Sequence, residues 1–176
     1  FRPGWRRTDV TGQTDPFAGV ADISEFLAAC LSTNLLVDGA KATFDNYYRN
    51  YHRNFSPRMR HYYADQIREI ESITLSSPGL RLLEVGCGLG TESLWLASKG
   101  ARVTAVDVRR DRIDVARAHQ TVMQERYGRK LDVDFQNRSI LDLEETETFD
   151  AIWMEQAFHH LEPRRDVIGK TAKLLR

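Results

Sequence analysis

Cysteine is scarce in this 176-residue sequence, with only Cys30 and Cys87. They lie far apart, without the close pairs of a zinc site or the even set of a disulfide framework, so neither device is expected to hold the fold. A reducing, cytoplasmic compartment suits that usage. Net charge is also missing: 25 lysines and arginines face 25 aspartates and glutamates. This balance excludes an overall field that would draw the chain to nucleic acid or to an anionic membrane. No apolar run approaches the roughly 18 residues of a spanning helix, and the N-terminus lacks a signal peptide's apolar core. Internal repeats and low-complexity stretches are absent. What remains has the size of one ordinary domain, long enough to bury a core without cross-links.

Residues 1 to 20 show no steady period and read as a loose arm. From Asp22 the set Ile23, Phe26, Leu27, Cys30 and Leu31 follows helical spacing, with Asp22 or Ser24 able to cap the first turn. Residues 44 to 63 interleave Tyr47, Tyr48, Tyr51, Phe55, Tyr62 and Tyr63 with Arg49, Arg53, Arg58 and Arg60. This segment reads as an aromatic lid over a ligand, as a nucleic-acid contact, or as an amphipathic helix with a solvated basic face. Tyr63 to Ile73 then spaces Ile67, Ile70 and Ile73 about a turn apart.

Beyond Pro78-Gly79 short apolar strands alternate with helices. Strands are expected at Arg81 to Val85, Arg102 to Val106, Val133 to Gln136 and Phe149 to Met154. Helices are expected at Thr91 to Lys99, closed by Gly100, at Asp111 to Glu125, and from Pro163 as first helical residue. Such alternation implies an α/β fold, a doubly wound and mostly parallel sheet with right-handed crossovers.

The chemistry concentrates at Glu84-Val85-Gly86-Cys87-Gly88-Leu89-Gly90, where three glycines at alternate positions separate a strand from a helix. Side chains there would keep a ligand from lying against the backbone. Asp107 ends the second strand, where its carboxylate can accept hydrogen bonds from both hydroxyls of a ribose. A dinucleotide fingerprint reads G-x-G-x-x-G and serves a pyrophosphate, whereas here the spacing is G-x-G-x-G. Glu84 beside the loop would repel a pyrophosphate but suits the ammonium and sulfonium charges of S-adenosylmethionine.

On these residues the chain resembles the class I S-adenosylmethionine-dependent methyltransferases, in particular the small-molecule type with a seven-stranded Rossmann-like sheet. The resemblance covers about residues 62 to 176, leaving 1 to 61 as an N-terminal arm and helical lid region. It implies that Glu84, Gly86, Gly88 and Gly90 seat the methionine part, that Asp107 holds the ribose and that Val108 touches adenine. Ser139 and Ile140 stand where the family has an acidic residue and a small or apolar one at the adenine edge. Ser139 departs from that pattern, and Asp142 could substitute. In FDAIWMEQAFHHLEP the candidates facing methionine and substrate are Glu155, Gln156, His159 and His160. A transfer from sulfonium demands alignment rather than an obligatory catalytic side chain. Where the acceptor must lose a proton, His159 is the candidate general base; otherwise a histidine there packs or caps the turn. Adjacent histidines on a turn lack ligand spacing, so no metal is expected.

The resemblance implies an enzyme acting on a small molecule. Its rivals are an RNA or protein methyltransferase and a non-catalytic cofactor-binding subunit. Phe1 in first place, and three family strands without counterpart before Arg176, set the expectation of a fragment. Strand four would then be a bare apolar edge, to be covered by a second copy or a partner.

Overall fold

The computed structural model describes residues 17–32, 38–49 and 56–176. Most of the arm expected at residues 1 to 20 lies outside them, as does 50–55 of the aromatic segment. Phe17 is described and is not loose: it is buried, with its ring 5.3 Å from that of Phe26 and 5.8 Å from that of Tyr127.

Three helices precede the sheet: α1 (Ile23–Ser32), α2 (Asp38–Tyr47) and α3 (Pro57–Ser76). Asp22 starts α1, accepting the Glu25 N–H at 2.9 Å and the Ser24 hydroxyl at 2.7 Å. Helix α2 was not anticipated. Its apolar content is confined to a short buried stripe around Phe44, which has little periodicity without its partners. Helix α3 begins six residues before the expected Tyr63, because Ser56 caps it and Pro57 fits its first turn. It runs unbroken through residues 61 and 62, the expected boundary. Ile67 and Ile70 are buried as the pattern required, but Ile73 is 46% exposed and Thr74 takes the inward position. The Thr74 hydroxyl escapes desolvation by donating to the Ile70 carbonyl at 2.8 Å.

The sheet comprises β1 (Arg81–Val85), β2 (Arg102–Val106), β3 (Val133–Gln136) and β4 (Ala151–Trp153), all parallel, in the order β3-β2-β1-β4. The chain steps outward from β1 to β3 and then crosses back to β4 on the other side of β1. This reversal creates the crevice in which open α/β sheets bind ligands. Side chains alternate across β1: Leu82 joins the core shared with α1 to α3, while Leu83 and Val85 join the opposite one. The first core also takes α4 (Thr91–Ser98) and α5 (Arg110–Tyr127), the latter closed by Gly128 in the left-handed region. On the opposite face lies α6 (Arg164–Leu174), which contributes Val167 and Leu174. Pro163 stands just before α6 rather than inside it.

Strand β4 is shorter than expected. Phe149 instead makes a parallel bridge with Leu175, donating to the Leu174 carbonyl at 2.8 Å and accepting from the Arg176 N–H at 3.1 Å. The edge expected to be bare is therefore covered at this point, and Ala151, Ile152 and Trp153 are partly buried.

Candidate functional site

The turn from β1 to α4 hooks onto the end of β2. Gly86 and Cys87 both donate to the Val106 carbonyl, at 2.7 and 3.1 Å, and Gly90 closes the turn by donating to the Cys87 carbonyl. All three alternate glycines have positive φ, +76°, +55° and +73° in order. The structure supplies a reason for them beyond the one expected. A Cβ on Gly86 would lie 2.5 Å from the Ala157 Cβ, and one on Gly90 2.5 Å from the Phe135 ring and 2.9 Å from the Ala116 Cβ. One on Gly88 would lie 3.3 Å from the Tyr47 hydroxyl. Side chains are excluded here by backbone twist and by the protein's own packing.

Above this turn, at the carboxyl ends of β1, β2 and β4, lies a cleft of about 410 Å3. It gathers Glu84, Gly86, Asp107, Val108, Ser139, Ile140, Glu155 and Gln156 of the residues expected at the site. Gly88 and Gly90 shape the turn without lining the cleft. His159, the expected base, does not line it either, and His160 does. The two histidines share one 3-10 turn (Phe158–His160) with their ring centroids 3.8 Å apart, and His160 is the one on the cleft side.

Carboxylates dominate one end. Glu84 ends β1 at 3% exposure and accepts a short hydrogen bond from the Ser93 hydroxyl of α4. Burial pushes its carboxyl well above the usual range, and the negative charges of Glu92, Glu155 and Asp107 push it further. Glu155, partly buried beyond β4, is raised to about 7 by burial and by Glu92. Glu92 was missed at first because an acidic residue in a helix's first turn reads as ordinary dipole matching. It lines the cleft and accepts a short hydrogen bond from the Tyr63 hydroxyl of α3. Burial raises its carboxyl too, and Tyr63 opposes the rise.

Asp107, directly after β2, is 6% exposed. One of its oxygens accepts the Gly88 N–H at 3.0 Å and the other the Arg109 N–H at 2.8 Å. Asn137 anchors its carbonyl at 2.9 Å. The next residue, Val108, leaves 70% of its surface open, an apolar side chain on a site rim rather than in a core. Across the cleft Ser139 and Asp142 form a reciprocal cap on a 3-10 turn (Ile140–Asp142). The Ser139 oxygen accepts the Leu141 N–H at 3.2 Å, and the Asp142 carboxylate accepts the Ser139 N–H at 3.1 Å. Asp142 is thus committed to the turn and does not stand in for the missing acidic residue.

Among the described residues of the N-terminal helices, α2 is the one that reaches the cleft. Tyr47 lines it, with the Arg112 guanidinium 5.2 Å from its ring centroid, and Tyr48 pairs with the Thr91 hydroxyl at 2.8 Å. Of the described part of the aromatic segment, Tyr47 is the residue that lines the cleft.

A family profile described as "Methyltransferase domain" matches residues 83–176. The ubiquinone biosynthesis O-methyltransferase of Xanthomonas oryzae pv. oryzae (strain PXO99A) is 35% identical over 107 residues, covering 60% of this chain and 42% of that protein. Methyltransferase GfsG of Streptomyces halstedii is 34% identical over 101 residues, covering 57% and 35%. The chain thus spans less than half the length of these curated relatives. Among solved structures, magnesium protoporphyrin IX methyltransferase from Synechocystis PCC 6803 with bound SAM superposes with a TM-score of 0.55 at 18% identity, covering 89% of this chain and 74% of that one. At that identity the likeness concerns the fold, and its Rossmann-like sheet is the one found here. The profile match begins at the third residue of β1 and takes in the glycine turn, Asp107 and the segment after β4: the chain belongs to the methyltransferase-domain family.

Proposed function

We propose that this chain holds S-adenosylmethionine in the cleft and passes its methyl group to a small-molecule nucleophile. The observation that carries the reading is the meeting of Glu84, Asp107 and Glu155, from the ends of three adjacent strands, in one cleft. Its volume of about 410 Å3 lies within the range of small-ligand sites. The carboxylates complement an ammonium and a sulfonium. Asp107 spends one acceptor site of each oxygen on the backbone. A carboxylate offers about four such sites, so capacity for two ribose hydroxyls remains. Exposed Val108 and buried Ile140 provide apolar surface for adenine.

When bound, S-adenosylmethionine supplies a methyl group on sulfur, open to in-line displacement. The residues of this chain have to orient and desolvate. Glu84 and the glycine turn would hold the methionine part, and Tyr47 would shield the cleft from water. Glu155, Gln156 and His160 line the segment after β4; of these Glu155 and His160 can accept a proton from the acceptor. An oxygen acceptor is favoured by the name of the Xanthomonas relative, with nitrogen and carbon as the other classes. Two buried cysteines outside any disulfide suit the cytoplasm, and among the described residues no helix is long and apolar enough to cross a membrane. The rest of the sheet edge beside β4 would be met by a second copy or a partner.

Calorimetric titration with S-adenosylhomocysteine and, separately, with NAD tests the reading. Binding of the first and none of the second is expected. Thermal stabilisation by NAD alone overturns it.

A further inference from the structure

Glu92 is absent from the glycine signature, yet it lines the cleft with Glu84 and Glu155. Nothing in a helix's first turn requires a carboxylate to be turned toward a ligand site already holding two others. Such an arrangement is unfavourable in the empty protein, because each charge raises the cost of the next. It is also built: the Tyr63 hydroxyl reaches from α3 across 29 positions of sequence to hold the Glu92 carboxylate, and Tyr63 itself is 3% exposed. Ser93, the next residue of α4, holds Glu84 in the same manner. Two carboxylates are therefore presented side by side, each by one hydroxyl. Among the described residues no protein cation pairs with them: Arg112, across the cleft, faces Asp107 at 4.0 Å and the Tyr47 ring.

We infer that Glu92 is a further cation-recognising residue of the cleft, opposing the ammonium or sulfonium of the methyl donor, and that Tyr63 is its positioning residue. The inference rests on the methyl-donor reading above. A positively charged ligand relieves the repulsion among Glu84, Glu92 and Glu155, so its binding is coupled to their ionisation. The groups facing Glu92 are Tyr63 from α3, Tyr47 and Tyr48 from α2, Cys30 from α1, Glu84 from β1, Cys87 in the turn and Glu155 beyond β4. Burial raises Cys30, Cys87, Tyr47 and Tyr48 above their ordinary values, which leaves the three carboxylates, all held above the usual carboxylate range, as the groups that change charge as pH rises.

The experiment is calorimetric titration of the whole chain with S-adenosylmethionine and S-adenosylhomocysteine from about pH 6 to 8.5, for the wild type, Glu92→Gln and Tyr63→Phe, with folding checked by circular dichroism. Glu92→Gln is expected to weaken S-adenosylmethionine about tenfold, the loss of one charge-assisted contact. An equal loss for both ligands assigns Glu92 to the ammonium they share, and a loss confined to S-adenosylmethionine assigns it to the sulfonium. Tyr63→Phe keeps the buried ring and is expected to weaken binding roughly threefold near neutral pH. That loss should fade as pH rises, since Glu92 then ionises without the hydroxyl's help. A loss constant across pH marks Tyr63 as merely structural and overturns its role. Unchanged affinity in folded Glu92→Gln overturns the role of Glu92 while leaving the methyl donor in place. Failure of the wild type to bind either ligand overturns the methyl-donor reading itself.

Discussion

Replacing Gly90 by alanine tests whether the third glycine of the turn serves packing. Its φ of +73° lies in the left-handed region, which an L-residue enters at about 1–2 kcal/mol. The added methyl would sit 2.5 Å from two atoms of the Phe135 ring and 2.9 Å from the Ala116 Cβ, where carbon atoms normally keep about 3.5–4.0 Å. Phe135 is 2% exposed on β3 and Ala116 fully buried on α5, so neither can swing into solvent. Overpacking of this kind costs about 1–3 kcal/mol. The two effects together lower stability by about 2–5 kcal/mol, a fall of roughly 1–2.5 M in the urea midpoint at a slope near 2 kcal/mol/M. Urea unfolding followed by circular dichroism measures this directly. Phe135→Leu on the same background removes part of the clash, so the double variant should be less destabilised than the sum of the singles by about 1–3 kcal/mol. Gly88→Ala, whose methyl would meet only the Tyr47 hydroxyl at 3.3 Å, should cost roughly 1–2 kcal/mol. Strict additivity of Gly90→Ala and Phe135→Leu, or a midpoint unmoved by Gly90→Ala, refutes the packing argument.

Three further outcomes are expected. Asp107→Ala should weaken S-adenosylmethionine at least tenfold, about 1.4 kcal/mol by calorimetry, and unchanged affinity removes Asp107 from the ribose. Glu155 is raised from its ordinary value of 4.5 to about 7, so the folded chain holds more protons than the unfolded one across that window. Its contribution to stability therefore falls as pH rises through the window, and Glu155→Gln should show a smaller drop in urea midpoint between pH 5 and pH 8 than the wild type. His119 behaves oppositely: it is 1% exposed, its ring lies 4.6 Å from that of Phe44, and burial lowers its pKa from 6.5 to about 4. The unfolded chain holds more protons there, so stability is lost as pH falls from 6.5 toward 4. His119→Phe should lessen that loss, and identical acid profiles would exclude His119 as its source.

Much of the sheet was legible because its signals are short-range. Leu82 to Val85 reads as a buried strand from its own composition, the positive φ of the turn leaves glycine as its trace, and Gly100 and Gly128 mark helix ends. Misreadings arose where a distant partner decides. Phe44 is one ring in a mixed segment until α5 supplies His119 beneath it. Ile73 keeps the right spacing, yet Thr74 is turned inward because its hydroxyl can reach back to Ile70. Asp142 looked free for adenine, but its carboxylate accepts the Ser139 N–H.

By itself the sequence determined the parallel α/β fold, the turn between β1 and α4, and the placing of Glu84 and Asp107 at strand ends, since each follows from periodicity and backbone geometry within a few residues. Tertiary structure alone decided that His160 rather than His159 enters the cleft, that the glycines accommodate Ala157, Tyr47 and Phe135, and that Tyr63 holds Glu92. Those facts depend on side chains brought together by packing from positions far apart in the chain, and no local pattern encodes the direction in which they point.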